Sequence, residues 1–208
     1  MTENINRQIR LAGRPIGLPK DSDWELAEEV MPTPEPGQVV VRNRFLSVDP
    51  AMRGWMNDRK SYVLPLPLGS VMRALTVGEV VASKNASFVA GDSVAGLGGI
   101  QTFSLGDGTD LQKIDLSLAP FPVWLDTLGI AGLTAYCGLL EVGEPRTGET
   151  VLVSGAAGSV GAHVGQIAKI KGCHAVGIAG GEKKCSYLTD ELGFDNAIDY
   201  QKETLSAG

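Results

Sequence analysis

The stretch Val151-Leu152-Val153-Ser154-Gly155-Ala156-Ala157-Gly158-Ser159-Val160-Gly161 decides the fold of this 208-residue chain. It opens with a short apolar run, typical of a parallel-sheet strand that is buried on both faces. Glycines spaced GxxGxxG follow, and a helix is predicted to begin among them. Without a Cβ, Gly155 and Gly158 permit a tight turn and close approach of a phosphate, and Gly161 lets the helix lie close to the strand.

This glycine loop predicts a dinucleotide site, because the free amides and positive dipole end of the following helix favour phosphates. The alternative is a tight strand-to-helix turn that binds nothing, since GxxGxxG departs from the commoner GxGxxG. A Walker-type nucleotide site is excluded, because no Gly-Lys-Ser/Thr follows the loop. The predicted cofactor-binding residues of the loop are Gly155, Ala156, Ala157, Gly158, Ser159, Val160 and Gly161.

The segments around the loop alternate between strand and helix. A helical apolar pattern ends at the stop signal Gly143, and two later helices end at Gly172 and Gly193. The order β-α-β-α-β predicts a parallel sheet with right-handed crossovers. The predicted segments are helix 125–142, strand 150–154, helix 160–171, strand 174–179, helix 183–192 and strand 196–200.

The first part of the chain has a different secondary-structure pattern. Short β-rich runs at 37–43, 76–82 and 90–96 are separated by turns, which predicts a small antiparallel barrel or sandwich. The sequence therefore predicts a mixed β and α/β fold with two domains, 1–124 and 125–208.

The tip of the second predicted parallel strand indicates which dinucleotide binds. An NAD site usually has an acid there for the ribose hydroxyls, but this strand ends in Gly180-Gly181. The glycines leave room for a 2′-phosphate, and Lys183 and Lys184 supply positive charge. The alternative is that the two lysines are only solvated residues in the first turn of a helix. That turn is an unfavourable place for cations, because the helix dipole is positive there. NADP(H) is favoured over NAD(H).

Composition narrows the function classes. A formal charge of −6 argues against nucleic acid or an anionic membrane as the partner. No apolar run reaches the ~20 residues of a membrane helix, and the first residues lack a signal core. Three cysteines, none closely spaced with another, fit a reducing compartment. We therefore expect a cytoplasmic protein.

Several motifs together resemble the medium-chain dehydrogenases/reductases. Within that family, the chain is similar to the zinc-independent branch of leukotriene/prostaglandin reductases and alkenal/one oxidoreductases. The similarity begins near Asn6 and covers essentially the whole chain. The motifs are Gly132-Leu-Thr-Ala-Tyr136, Gly148-Glu-Thr-Val151, Ala156-Ala-Gly-Ser-Val-Gly161, Gln166-Ile-Ala-Lys169, Val48-Asp-Pro-Ala-Met-Arg-Gly-Trp-Met56, Lys171-Gly-Cys173, Leu192-Gly-Phe-Asp195 and Ala197-Ile-Asp-Tyr200.

The resemblance implies a GroES-like barrel domain followed by the first β-α-β-α-β half of a Rossmann domain. It implies that Lys184 binds the 2′-phosphate next to Gly180, that Tyr200 packs near the nucleotide, and that Ile130 and Thr134 face the nicotinamide. It also implies that full-length relatives form homodimers. With only three predicted parallel strands, we expect residues 151–153 to form an exposed apolar edge, and the chain alone to be poorly soluble or inactive.

The implied reaction is NADPH-dependent reduction of the carbon–carbon double bond of an enone or alkenal. A quinone oxidoreductase and a non-catalytic NADP-binding protein remain alternatives. No metal site is expected, because no ligand cluster for zinc exists and Gly69-Ser70-Val71 stands where zinc-dependent relatives have Gly-His-Glu. Ala51 replaces a tyrosine of some relatives, so their substrate preference does not carry over. No general acid is identified, and the candidate lining residues are Asp49, Arg53 and Tyr62.

Overall fold

A computed structural model describes residues 4–59, 61 and 63–202. The chain forms two compact units, Met1–Leu125 and Asp126–Gly208. Tyr62 lies outside the described residues. In the described part of the chain, no helix is long and apolar enough to cross a membrane.

The first unit is built mainly from antiparallel strands, as its short β-rich runs predict. One sheet pairs β1 with β2, and the other has the order β6-β3-β4-β5-β7. The predicted strand at 37 begins two residues later, because Gly37 occupies a turn with φ +87°. The elements are β1 Ile5–Leu11, β2 Trp24–Val30, β3 Val39–Leu46, α1 Pro50–Trp55, β4 Thr76–Ser83, β5 Ser93–Gly96, β6 Phe103–Gly106, β7 Gln112–Lys113 and α2 Phe121–Leu125, with a 3₁₀ turn at Asp21–Asp23.

Two apolar clusters form the core of this unit. The alternating residues Val39 and Val41 of β3 pack with Val80, Phe88 and Val94 from the neighbouring strands and turns. The second cluster contains Leu11, Met52, Met56, Leu66, Met72 and Ala74. The pleat of β3 therefore directs one face of its sheet into the core.

The second unit has the predicted β-α-β-α-β order. Its three parallel strands lie in the order β10-β9-β8, so β8 is an edge strand of the sheet in the described residues. Two of its helices continue into π-helical segments, at Cys137–Gly143 and Tyr187–Glu191. The elements are α3 Ile130–Tyr136, β8 Thr150–Ser154, α4 Ser159–Ile170, β9 His174–Ala179, α5 Glu182–Ser186 and β10 Asn196–Asp199.

Helix α4 and the strands share one core. Val153, Ala156, Ala168, Leu188 and Phe194 belong to it. The helix ends as predicted, because Gly172 adopts φ +76° after the last turn and its N–H bonds to the carbonyl of Lys169.

Two predictions about this unit are wrong. The predicted helix from 125 to 142 is interrupted at 126–129, where the Asp126 carbonyl accepts hydrogen bonds from Gly129 and Gly132. Strand β8 is not buried on both faces: Leu152 is 61% exposed whereas Val153 is 6% exposed. The core of α4 and its neighbours covers only the Val153 face within the described residues.

The predicted stop at Gly143 also differs in detail. Gly143 is the last residue of the π-helical segment, and Glu144 takes the left-handed conformation, with φ +45°. A non-glycine residue in this region carries a steric cost, and no sequence signal at Glu144 predicts this conformation.

Candidate functional site

The glycine loop has the tight geometry that its sequence predicts. Gly155 follows β8 with φ +58°, a conformation that favours glycine. The N–H of Gly158 donates to the carbonyl of Gly155 at 2.9 Å, which closes the turn. Gly158 is then the N-cap of α4, and no side chain caps the helix. The first amides of α4 are therefore left for another acceptor.

Gly161 and Ala156 fix the first turn of α4 against the loop. A Cβ on Gly161 would lie 2.6 Å from the Gly155 oxygen and 2.8 Å from the Ala156 Cα. Gly161 thus permits close approach to the loop backbone, rather than to the strand as the sequence suggested. Ala156 is fully buried in the core. Both residues shape the loop from behind.

A cavity of about 190 Å³ lies beside the glycine loop. It brings together six residues that the sequence predicts as cofactor-binding. Two further lining residues, Ile178 and Ala179, were not predicted, although ligands in open α/β sheets bind at the carboxyl ends of the strands. The lining residues are Gly155, Ala157, Gly158, Ile178, Ala179, Gly180, Lys184 and Tyr200.

Lys184 gives this cavity an unbalanced positive charge. Among the ion pairs of the described residues, none involves Lys183 or Lys184. Of these two lysines, Lys184 lines the cavity and Lys183 does not. The adjacent carboxylate of Glu182 instead contacts Lys202 Nζ at 3.2 Å. This hydrogen bond raises the pKa of Lys202 above its ordinary value. Lys184 therefore remains available to an anion.

The turns after β9 and β10 meet at the same end of the sheet. Gly180 lies against Tyr200, because a Cβ on Gly180 would be 2.6 Å from the phenol oxygen. Gly181 has φ +89° and is the N-cap of α5. The absence of a side chain at Gly180 thus lets the Tyr200 ring lie against the tip of β9.

Six predicted cofactor residues do not line this cavity: Ala156 and Gly161, which shape the loop from behind, and four others. Ser159 and Val160 lie on the first turn of α4, and Ile130 and Thr134 lie on α3. All four are exposed residues of the second unit. The Ser159 hydroxyl donates to Asp126 Oδ1 at 2.6 Å, so its side chain supports the turn before α3.

A polar cluster continues from Ser159 along α4. His163 Nδ1 is 2.7 Å from the Ser159 carbonyl, and its Nε2 is 3.0 Å from the Thr127 hydroxyl. Since a carbonyl only accepts, Nδ1 carries a proton, and in the neutral ring Nε2 then accepts from Thr127. The cluster joins the turn at 126–129 to the start of α4, a link that sequence spacing alone did not predict.

A larger apolar cavity of about 500 Å³ lies between α3 and α4. No residue of the glycine loop lines it, and its polar side chains are those of Thr127, Tyr136, His163 and Gln166. Size alone therefore does not identify a nucleotide site. The smaller cavity is the one lined by glycine-loop residues and by Lys184, whose charge suits a phosphate.

Two candidate residues of the first unit, Asp49 and Arg53, have structural roles. Arg53 donates to the carbonyls of Pro15 and Gly17 and to Asn57 Oδ1, so its guanidinium holds a loop. Asp49 is the N-cap of α1. Within the described residues, no group of three or more His, Cys, Asp or Glu side chains is placed to hold a metal ion.

Comparison with known proteins identifies the family. A family described as "N-terminal domain of oxidoreductase" matches residues 7–114, which is more than half of the chain. The chain belongs to this oxidoreductase family. The resemblance to zinc-independent medium-chain dehydrogenases/reductases is thereby confirmed.

Similar family members include enzymes of known name. The chain is 45% identical over 202 residues to the NADPH-dependent curcumin reductase of Escherichia coli (strain K12), covering 97% of the chain and 58% of that protein. It is 39% identical over 209 residues to the NADP(+)-dependent 2-alkenal reductase of Nicotiana tabacum, covering 98% and 61%.

A solved structure extends this comparison. The crystal structure of CurA in complex with NADPH from Vibrio vulnificus matches with a TM-score of 0.87 and 43% identity, over 94% of this chain and 58% of that one. The chain thus spans less than two thirds of the length of these relatives.

Proposed function

We propose that this chain carries the cofactor-binding and substrate-binding parts of an NADPH-dependent reductase of α,β-unsaturated ketones and aldehydes. The observation that carries the proposal is the cavity that joins the glycine loop to Lys184 at the tips of β8 and β9. Residues 1–124 are proposed as a GroES-like substrate domain, and residues 125–208 as the first half of a Rossmann domain in a cytoplasmic enzyme that pairs as a homodimer.

The chemistry of the cavity fits NADP(H). The uncapped amides of α4 and the backbone at Gly155 and Gly158 suit a pyrophosphate. The tip of β9 at Gly180 has no acidic side chain of its own, and the unpaired Lys184 ammonium suits the charge of a 2′-phosphate. The NADPH in the CurA complex supports this choice.

NADPH, when bound, supplies a hydride to the β-carbon of the substrate, and a proton then completes reduction at the α-carbon. The chain's own residues bind and orient. The glycine loop holds the pyrophosphate, Lys184 holds the 2′-phosphate, and Tyr200 packs beside the nucleotide. Ile130 and Thr134, both exposed on α3, are proposed to face the nicotinamide. Curcumin and 2-alkenals, the substrates in two relatives' names, both contain a conjugated carbonyl.

The first test is cofactor binding by the chain. The signal is the fluorescence of the bound nicotinamide. We expect binding of NADPH in preference to NADH. Lys184→Ala removes a charged hydrogen bond and should weaken NADPH binding about 10- to 100-fold while leaving NADH binding unchanged.

Lys183→Ala is the matched control, because Lys183 lies on the same turn but does not line the cavity. Equal losses in the two variants would refute the assignment of Lys184. Turnover is then measured as NADPH oxidation with an enone and with a quinone. Turnover of the quinone alone would favour a quinone oxidoreductase. NADPH binding without turnover of either substrate is expected both of a non-catalytic protein and of an inactive chain, so the same assay on a complete relative separates these two readings.

A further inference from the structure

One buried carboxylate ties together the two turns that border the proposed NADP site. Asp199 ends β10 and is only 6% exposed. Its Oδ1 accepts the N–H of Gly181 at 2.8 Å and the N–H of Gln201 at 3.1 Å. The carboxylate therefore bridges the turn after β9 and the turn after β10, which are 18 residues apart in sequence.

The Gly181 amide that bonds to Asp199 belongs to the residue at which α5 begins. Gly181 has φ +89° and is the N-cap of α5. Its carbonyl accepts hydrogen bonds from the N–H groups of Lys184, at 3.1 Å, and Cys185, at 3.2 Å. The position of Gly181 thus sets where α5 begins and where Lys184 leaves the backbone.

Two side-chain contacts also span the same two turns, beside the backbone hydrogen bond from the Tyr200 N–H to the Ala179 carbonyl at 3.2 Å. Gly180 lies against the Tyr200 ring, and the Glu182 carboxylate contacts Lys202 Nζ at 3.2 Å. Both of these contacts involve exposed side chains, whereas Asp199 is buried. Of these three side-chain connections, only that of Asp199 is made by a buried group.

Asp199 is a buried, ionised carboxylate with one oxygen that lacks a hydrogen-bond partner in the described residues. The hydrogen bond from Gly181 holds the pKa of the carboxyl below its ordinary value, so the group is ionised at neutral pH. Its Oδ2 has no hydrogen-bond partner among the described residues. A buried acceptor without a partner costs free energy, and such groups in native proteins often serve a specific purpose.

We propose that Asp199 is a positioning residue for NADP selectivity: through the Gly181 amide it holds the start of α5 so that Lys184 faces the 2′-phosphate. The inference rests on the proposed NADP(H) function. Asp199 acts through the backbone and does not itself touch the cofactor. Since the 2′-phosphate distinguishes NADPH from NADH, the loss of Asp199 should change the ratio of the two affinities.

The experiment compares NADPH and NADH binding by the 208-residue chain and its variants. Asp199→Ala removes the acceptor, and we expect NADPH binding to weaken about tenfold with NADH binding unchanged. Asp199→Asn keeps an oxygen that accepts the Gly181 N–H, and we expect it to keep the selectivity of the unsubstituted chain. Should Asp199→Ala fail to fold, Asp199→Glu displaces the same acceptor by one methylene and should also lower NADPH binding selectively.

Asp195→Ala is the matched structural control. Asp195 Oδ2 accepts the N–H of Ala175 at 2.7 Å at the opposite end of the sheet, so its loss also removes an acceptor of a strand amide. We expect lower stability but an unchanged NADPH-to-NADH ratio.

Three outcomes would overturn the positioning role. Asp199→Ala or Asp199→Glu could bind NADPH as the unsubstituted chain does, or weaken both cofactors equally, or Asp199→Asn could lose selectivity as fully as Asp199→Ala. If the unsubstituted chain itself binds no NADPH, the proposed function fails first and the inference falls with it, so the two failures are distinguishable.

Discussion

The two ends of the parallel sheet use similar residues for opposite purposes. At the end where β9 begins, Asp195 accepts the Ala175 N–H and pairs with Lys169 at 2.6 Å, and Phe194 packs on Gly165 of α4. At the end where β9 finishes, glycines leave a cavity and Lys184 has no ion-pair partner among the described residues. We call the first the closed end, because side chains fill the space there and the charges are paired. We call the second the open end, because a cavity remains there and the charge of Lys184 is unpaired in the described part of the chain.

The largest effect is expected at the closed end. A Cβ on Gly165 would overlap the Phe194 ring, so Gly165→Ala should destabilise the second unit by about 1–3 kcal/mol through overpacking. The measurement is urea unfolding followed by circular dichroism. Gly138→Ala is the control, since nothing lies within 4 Å of its added Cβ. Equal stability of the two variants would show that this packing is loose.

A smaller loss of stability, with a loss of binding, is expected at the open end. Gly155 has φ +58° and open space around its Cβ position, so Gly155→Ala should cost about 1–2 kcal/mol in backbone strain. Because the loop serves the pyrophosphate, NADPH and NADH binding should both weaken. Gly193→Ala provides the same strain, at φ +73° with open space, away from the cavity. A binding loss in the control would contradict a local effect.

The ion pair at the closed end should appear in the pH dependence of stability. The hydrogen bond from Lys169, followed by that from Ala175, lowers the pKa of Asp195 below its ordinary value. The stabilisation is therefore complete above that ordinary value and is lost as the pH falls through the lowered pKa. Asp195→Asn should unfold more easily at neutral pH and lose less stability on acidification. An acid titration of unfolding free energy that runs parallel in both proteins would argue against this assignment.

The smallest effect is expected from the exposed pair Glu182–Lys202. Both side chains are mostly solvent-exposed, and such surface pairs contribute little. Glu182→Gln should leave the unfolding midpoint unchanged within error. NADPH binding should strengthen slightly in low salt, because a negative charge near Lys184 is removed. A marked loss of NADPH binding would mean that this pair, rather than Asp199, holds the turns together.

Local sequence signals predicted the elements that depend on local chemistry. Strand β9 has the predicted bounds of 174–179, and the glycine stops after α4 and before β10 are in place, with positive φ at Gly172 and Gly193. The loop glycines were predicted for the same reason: the conformation of each is a property of one residue and its neighbours.

Features that depend on distant partners were not predictable in this way. The bond from Gly181 to Asp199 joins two strands that become neighbours only in the folded sheet. The exposure of Leu152 depends on which elements cover that face of β8. The interruption of the helix before Ile130 depends on the Asp126 carbonyl, which accepts hydrogen bonds from Gly129 and Gly132. The pair β1–β2 was missed because Trp24–Val30 carries three glutamates and shows no clear alternation of apolar residues.

The fixed ring of His163 gives the second unit an intrinsic spectroscopic reporter. The chain has two histidines, and His174 is largely exposed whereas the His163 side chain is 14% exposed. With Nδ1 donating to Ser159 and Nε2 accepting from Thr127, His163 holds one tautomer that imidazole ¹⁵N shifts distinguish from a freely exchanging ring. Because Ser159 is the first residue of α4, a phosphate that settles on that helix should change the resonance of His163 and leave that of His174 as an internal reference.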